Sequence, residues 1–341
     1  MGVTEIEFAE RTPDKHVSIL DLWDCAQAST AARLSTRSQT LDTCAVSLYS
    51  RDILIPMTRR QALLLPLSGA VVAQVHDTAG APAAHPQEAL VRWNPRPVFN
   101  GAPILFQSRS FSGPGKWLGK KIEFRPDGDA FSALAGVNLN RAPGHYPLDL
   151  GDETVDIVVT RRAYPSSAIT VPEKFIEPPK EVQKQIEEEV AIKQSVFASS
   201  RPNRLWRGPF FAPANTAYTS SFGVRRTYNG RTLSVHQGLD YRAALGTQVT
   251  SSNSGCVAIV RDMYFEGGFI VIDHGESIFT LYMHLSEFLV KEGANVEKGD
   301  VIGRSGSSGR VTGPHLHFAV RWEGAYLEPS TLLALWRRGP A

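Results

Sequence analysis

The chain has 341 residues, of which 42% are apolar and 21% charged, with a formal net charge of +2. That apolar content supports a buried core and excludes global disorder, and the near-neutral balance gives no electrostatic footprint for nucleic acid. The length suits two modest domains or one domain with an extension, and no run of about 20 apolar residues is present to span a bilayer.

Residues 57–73 pass from Met57 through Arg59 and Arg60 into a short apolar stretch and end on small residues at Ala73. That is the layout of a signal peptide, with a basic start, an apolar middle and a small-residue cleavage site. The arginine pair resembles a twin-arginine signal, although Ala62 stands where a large apolar residue is preferred. A leader here makes Met57 the expected initiator and residues 1–56 a mis-extended or disordered N-terminus. The competing reading of 61–73 is a buried strand or helix. Cleavage after Ala73 removes Cys25 and Cys44 and leaves Cys256, inside an apolar strand pattern, as an expected buried and inert thiol.

Over 86–165 short β-like runs alternate with turn chemistry such as Pro126-Asp127-Gly128 and Pro143-Gly144, where Pro fixes φ and Gly accepts positive φ. This spacing predicts a small immunoglobulin-like β-sandwich without a cysteine pair. A Pro-rich stretch follows at 171–181. Then Val182, Ile186, Val190, Ile192, Val196 and Phe197 fall on one face of an amphipathic linker helix over 181–200. That helix either fixes one domain against the other or packs on its own domain. From 208 to 332 strands dominate again, punctuated by glycines from Gly255 to Gly313 that mark tight turns. The whole is expected to be mostly β.

Five of the nine histidines lie in this last region: His236, His274, His284, His315 and His317. In His315-Leu316-His317 a strand would point both imidazoles to one face, because side chains alternate with period two. Alone, such a step is either a ligand pair or two exposed strand histidines. His236 and Asp240, four residues apart around Gly238, add a second imidazole source and a carboxylate. His284 sits on another apolar, strand-like run. Three protein ligands with one open position is the arrangement of a catalytic zinc site.

The run from Phe210 to Pro329 resembles the lysostaphin/LytM-type zinc endopeptidases, which cut peptidoglycan. The matching pieces include Thr219 to Arg225, His236-Gln237-Gly238-Leu239-Asp240, Val271 to Gly275, Leu281 to Leu285, Lys298 to Gly303 and Gly313 to Phe318. The resemblance implies an antiparallel, duplicated-hybrid-motif-like β domain with one zinc ion per chain. His236, Asp240 and His317 would bind the metal. His284 and His315 would line the site, and one of them, as general base or by stabilising the oxyanion, would assist attack of water on an amide carbonyl. Tyr228 is the candidate for the family's oxyanion tyrosine, and His274 reads as structural. Ala319 stands where a Glu often follows the His-Leu-His-Phe run. The implied protein is an exported, monomeric endopeptidase of the periplasm or cell envelope, acting on murein stems or cross-links, with no membrane span in its mature form. The alternative is a catalytically silent module that binds murein or activates a cell-wall amidase.

Overall fold

The computed structural model describes residues 90–336; the expected leader at 57–73 and the segment 1–56 lie outside the described residues. Two small sheets come first. One runs in the order Arg92–Asn94, Pro103–Ser108, Ala130–Gly136, Arg125–Asp127; the other in the order Val98–Phe99, Thr154–Thr160, Gly144–Asp149, Pro114–Trp117, Lys120–Glu123. Their inner faces meet: Phe106 of the first sheet packs edge-on against Trp117 of the second at 5.5 Å, and the Trp117 indole N–H donates to Gly136 O at 2.9 Å. A buried Trp needs such a partner for its one polar atom.

The strand Ser166–Ile169 leaves this sandwich and pairs in parallel with Arg225–Tyr228, which forms a hairpin with Thr232–Val235. A single 3-10 turn, Glu173–Phe175, and a helix, Lys180–Ala198, follow. Proline at the helix N-cap ends the preceding extended segment. Among the described residues no helix is long and apolar enough to cross a membrane.

The largest sheet is built on Tyr218–Ser220, Leu239–Tyr241, Leu316–Trp322, Ile278–Phe288, Gly267–Asp273, Gly255–Met263 and Asn295–Val296, in that spatial order. Each adjacent pair in that order is antiparallel. Its two faces separate by strand alternation. Leu316, Phe318 and Val320 join Leu239, Tyr241, Ile270 and Tyr282 in a core that continues into the sandwich residues Phe106 and Trp117. Ala319 turns the other way, into a cluster with Phe279, Leu281, Met283 and Val271 that the helix covers with Ile192, Val196 and Phe197. Position 319 is therefore wholly buried, and a carboxylate there would lie beneath the helix.

Polar contacts also tie the sandwich to the large sheet. Arg204 donates to Ser132 O at 2.6 Å and to Glu276 at 3.0 Å, and Arg162 pairs with Glu328 at 2.5 Å. The described residues 90–336 fall within one compact unit. Cys256 is a buried free thiol on Gly255–Met263.

Candidate metal centre

Asp240 and His317 are cross-strand partners in the ladder between Leu239–Tyr241 and Leu316–Trp322. Both side chains project from the face opposite Leu239, Leu316 and Phe318. The resulting separation is short: His317 Nδ1 lies 2.8 Å from Asp240 Oδ1. His236 enters from the preceding loop, pinned by its own N–H to Val224 O at 2.8 Å and by the Gly223 N–H to its carbonyl at 2.8 Å. Its Nε2 is 2.9 Å from the same Asp240 oxygen and 3.0 Å from His317 Nδ1. Gly238 makes room for this convergence, since a Cβ there would meet His317 Nε2 at 2.6 Å and Phe318 O at 2.5 Å.

The protonation pattern shows what this cluster asks for. His236 Nδ1 is 2.7 Å from Ser221 O, an acceptor only, so Nδ1 carries the proton and Nε2 presents a lone pair. That lone pair faces an Asp240 carboxylate oxygen and His317 Nδ1, an arrangement satisfied by a proton or a metal cation held among the three atoms. Burial alone would push the Asp240 carboxyl up; the hydrogen bonds and charges of His236 and His317 outweigh it and hold it well below the usual range. The His317 imidazole is pushed down to about 4, by burial first and against the pull of Asp240. A buried carboxylate beside two buried imidazoles suits a divalent ion. The edges of 2.8–3.0 Å are close to the roughly 3.3 Å between ligands held about 2.0–2.1 Å from a tetrahedral metal. Two imidazole nitrogens and one carboxylate oxygen form a donor set that suits zinc. Within the described residues, His236, Asp240 and His317 are the group of side chains whose donor atoms converge for a metal.

His284 and His315 stand beside this triad without joining it. Their rings are 4.8 Å apart, and the His284 ring is 6.1 Å from that of His317. His315 Nδ1 donates to Gly313 O at 2.8 Å, leaving Nε2 turned towards Asp240 Oδ1 at 3.8 Å. His284 Nδ1 donates to Ser308 O at 2.9 Å, which leaves Nε2 as its lone-pair nitrogen. Burial, then the neighbouring His315 and His317, push the His284 imidazole far down, so it is neutral at pH 7.

The placement of His284 was not legible as simple alternation. Tyr282 faces the core shared with the sandwich and Met283 the opposite face, so regular pleating would return His284 to the Tyr282 side. Between Tyr282 and Leu285 the ladder to Gly267–Asp273 shifts register, and His284 takes φ +65°. This bulge brings the ring beside the metal face. His315 likewise precedes the regular strand and is held by an isolated bridge to Gly306.

Arg226 is a contributor that the sequence reading did not single out. It donates to Asp240 Oδ2 at 2.6 Å and to Ser220 Oγ at 2.8 Å, fixing the carboxylate oxygen that does not face the triad. Its position on Arg225–Tyr228, facing across a hairpin, has no local motif. Tyr228 is not at the centre: it is buried in a side cluster with Val171, Phe175 and Ile176, under the Arg310 guanidinium at 4.9 Å. Parity puts Tyr228 on the same strand face as Arg226, but it lies two residues, roughly 6–7 Å, farther along the strand, which carries it out of the centre. His274 is fully buried and hydrogen bonded at both nitrogens, to Ser254 O and Thr280 Oγ1.

Comparison with known proteins agrees with this geometry. Residues 234–329 match the model of peptidase family M23. The chain is 43% identical over 103 residues to peptidoglycan DD-endopeptidase ShyA of Vibrio cholerae serotype O1, a match covering 30% of this chain and 24% of that protein. It is 41% identical over 114 residues to DD-carboxypeptidase/endopeptidase Mpg of Neisseria meningitidis serogroup B, covering 33% of this chain and 26% of that one. The chain thus spans well under a third of the length of these relatives. A crystal structure of a Pseudomonas aeruginosa protein assigned to peptidase M23 superposes with a TM-score of 0.54 at 23% identity, over 71% of this chain and 96% of that one, which shows a shared fold.

Proposed function

We propose, from a domain at residues 234–329 that belongs to peptidase family M23, that this chain is a zinc-dependent endopeptidase hydrolysing peptide bonds of peptidoglycan stems or cross-links. The observation that carries the proposal is the convergence of His236 Nε2, Asp240 Oδ1 and His317 Nδ1 within 3.0 Å of one another, beside two further imidazoles. His236, Asp240 and His317 hold the metal in this reading. When bound, zinc supplies Lewis-acid polarisation and lowers the pKa of water.

The chain's own groups do the rest. Ser221 O fixes the His236 tautomer and Arg226 fixes the Asp240 carboxylate, so both donors are set before the ion arrives. His284, neutral and with Nδ1–H committed to Ser308 O, can accept a proton at Nε2 as water attacks the amide carbon. The proton that His284 takes from water can then pass to the leaving amine, and His315, with Nδ1–H committed to Gly313 O, would donate to the carbonyl oxygen only when its Nε2 also carries a proton. Export through a leader at 57–73 and an envelope location belong to the same proposal, because murein lies outside the cytoplasmic membrane.

The test is the zinc content of the purified chain together with mass spectrometry of a murein digest. About one zinc per chain and release of cleaved stem peptides are expected. Bound zinc without any cleaved product would instead favour a silent module that binds murein or activates an amidase.

A further inference from the structure

The helix Lys180–Ala198 lies outside the matched peptidase residues, yet it buries two charged side chains, Glu189 and Lys193. Four residues apart, they share one face. The Glu189 carboxylate accepts the Tyr264 N–H through both oxygens at 3.0 Å. Lys193 Nζ pairs with the Glu266 carboxylate, with only 8% and 3% of the two side chains exposed. Burying an ion pair is costly and weak evidence for stability, so its retention here invites a positional explanation. What the helix grips is the turn Tyr264 to Glu266, between Gly255–Met263 and Gly267–Asp273.

Two hydrogen bonds that fix His284 lead back to that turn, one directly and one through Ser308. Glu266 O accepts the His284 N–H at 2.9 Å. The ring Nδ1–H goes to Ser308 O, and Ser308 is itself locked to the residues just after the turn. Its Oγ accepts the Gly268 N–H at 2.9 Å and donates to Leu285 O at 2.9 Å. Phe265 O accepts the Arg310 N–H at 2.8 Å, fixing the far side of the same loop. Gly267, at φ +62°, lies so close that a Cβ would meet Ser308 Oγ at 2.3 Å. His284 at φ +65° is a non-glycine residue in the left-handed region. Such a conformation persists only where its surroundings over-determine it.

We propose that Glu189 and Lys193 are positioning residues for His284, the linker helix clamping the Tyr264 to Glu266 turn and thereby holding the His284 backbone and ring tautomer. The proposal rests on the reading of His284 as a proton acceptor in peptide hydrolysis. Removing Lys193 alone would strand a buried carboxylate and risks unfolding. The informative variants are therefore the double change Lys193→Met with Glu266→Gln, which removes both charges at similar volume, and Glu189→Ala.

In the full zinc-loaded chain, each variant should lower kcat on a defined cross-linked muropeptide by about tenfold, the scale of a lost outer support. KM and zinc stoichiometry should stay unchanged. Nitrogen-15 NMR of the imidazoles should show the His284 Nδ1–H signal sharp in the wild type and broadened in the variants. Folded variants that keep wild-type kcat and a sharp Nδ1–H signal, whatever their Tm, would overturn the proposal. If the wild type itself cleaves nothing, the hydrolase reading fails, while the NMR comparison still decides whether the helix holds the ring.

Discussion

The candidate metal triad, His236, Asp240 and His317, and the histidine pair beside it lie within one cluster but are held by opposite means. Asp240 and His317 owe their meeting to a regular antiparallel ladder in which they are direct partners. His284 and His315 sit where the ladder is broken, one at a bulge with positive φ and the other at an isolated bridge. A ladder places ligands rigidly and needs little support from outside the sheet. A bulge must be over-determined by neighbours, and here those neighbours are the Ser308 loop and the Tyr264 to Glu266 turn, which the linker helix contacts in its own right. Metal binding should therefore respond to changes within the sheet, and proton handling to changes far from it.

The strongest test removes a ladder ligand. His317→Ala deletes one of the three donors, so zinc content should fall to background and murein hydrolysis with it, measured by elemental analysis and muropeptide mass spectrometry. The same variant should leave the fold intact, because His317 is on the face away from Leu316 and Phe318. A His317→Ala protein that keeps zinc and activity would break the assignment of the triad.

Next in size are two glycine changes that separate the two halves. Gly238→Ala drives a methyl into the His317 ring and Phe318 O, which should cost about 1–3 kcal/mol by overpacking and weaken zinc binding. Gly267→Ala instead collides with Ser308 while leaving the triad alone. Zinc content should then be retained and kcat reduced, measured side by side on the same substrate. Equal loss of zinc in both variants would show that the two halves are one mechanical unit.

A smaller effect is expected from Arg226→Met. It leaves the three donor atoms but releases Asp240 Oδ2, and loss of such an outer partner weakens metal affinity by about 10–100-fold. Competition with a chelator would read this directly. Unchanged affinity would mean that the ladder alone orients the carboxylate.

The difference between the halves also marks what the sequence disclosed. Period-two alternation accounts for His317 facing Asp240 across a regular ladder, whereas His315 lies one residue before that strand, at an isolated bridge; Gly238 leaves the room in which His236 and Asp240 converge. The β-rich architecture and the helix followed from alternation, turn chemistry and apolar spacing. His284 was visible only as a histidine on an apolar run, because a one-residue bulge reverses facing and leaves no compositional mark. Arg226 and Lys193 were hidden for a related reason. Their partners are 14 and 73 residues away, and nothing local distinguishes a buried charge from a solvated one. The helix pattern pointed to its apolar stripe, yet the face that reaches towards the centre carries Glu189 and Lys193.

The smallest expected effect concerns stability and the histidine outside both halves. His274 is fully buried, and burial pushes its imidazole down to about 4 from 6.5, with Ser254 O and Asp273 pulling the other way. The unfolded chain therefore takes up a proton at this site below about pH 6.5, whereas the folded chain resists until about pH 4. Stability from neutral His274 is fully present above the unfolded value and is lost as pH falls through that window. His284 and His317 shift in the same direction, so the total pH dependence is not diagnostic by itself. The difference between wild type and His274→Gln is, because glutamine can donate to Ser254 O and accept from Thr280 without titrating. Urea midpoints measured from pH 7.5 to 4.5 should fall less steeply in His274→Gln than in wild type. Parallel slopes would mean that the protonated ring is accommodated, and the role of His274 would then reduce to filling space against Phe210, whose ring lies 5.3 Å away.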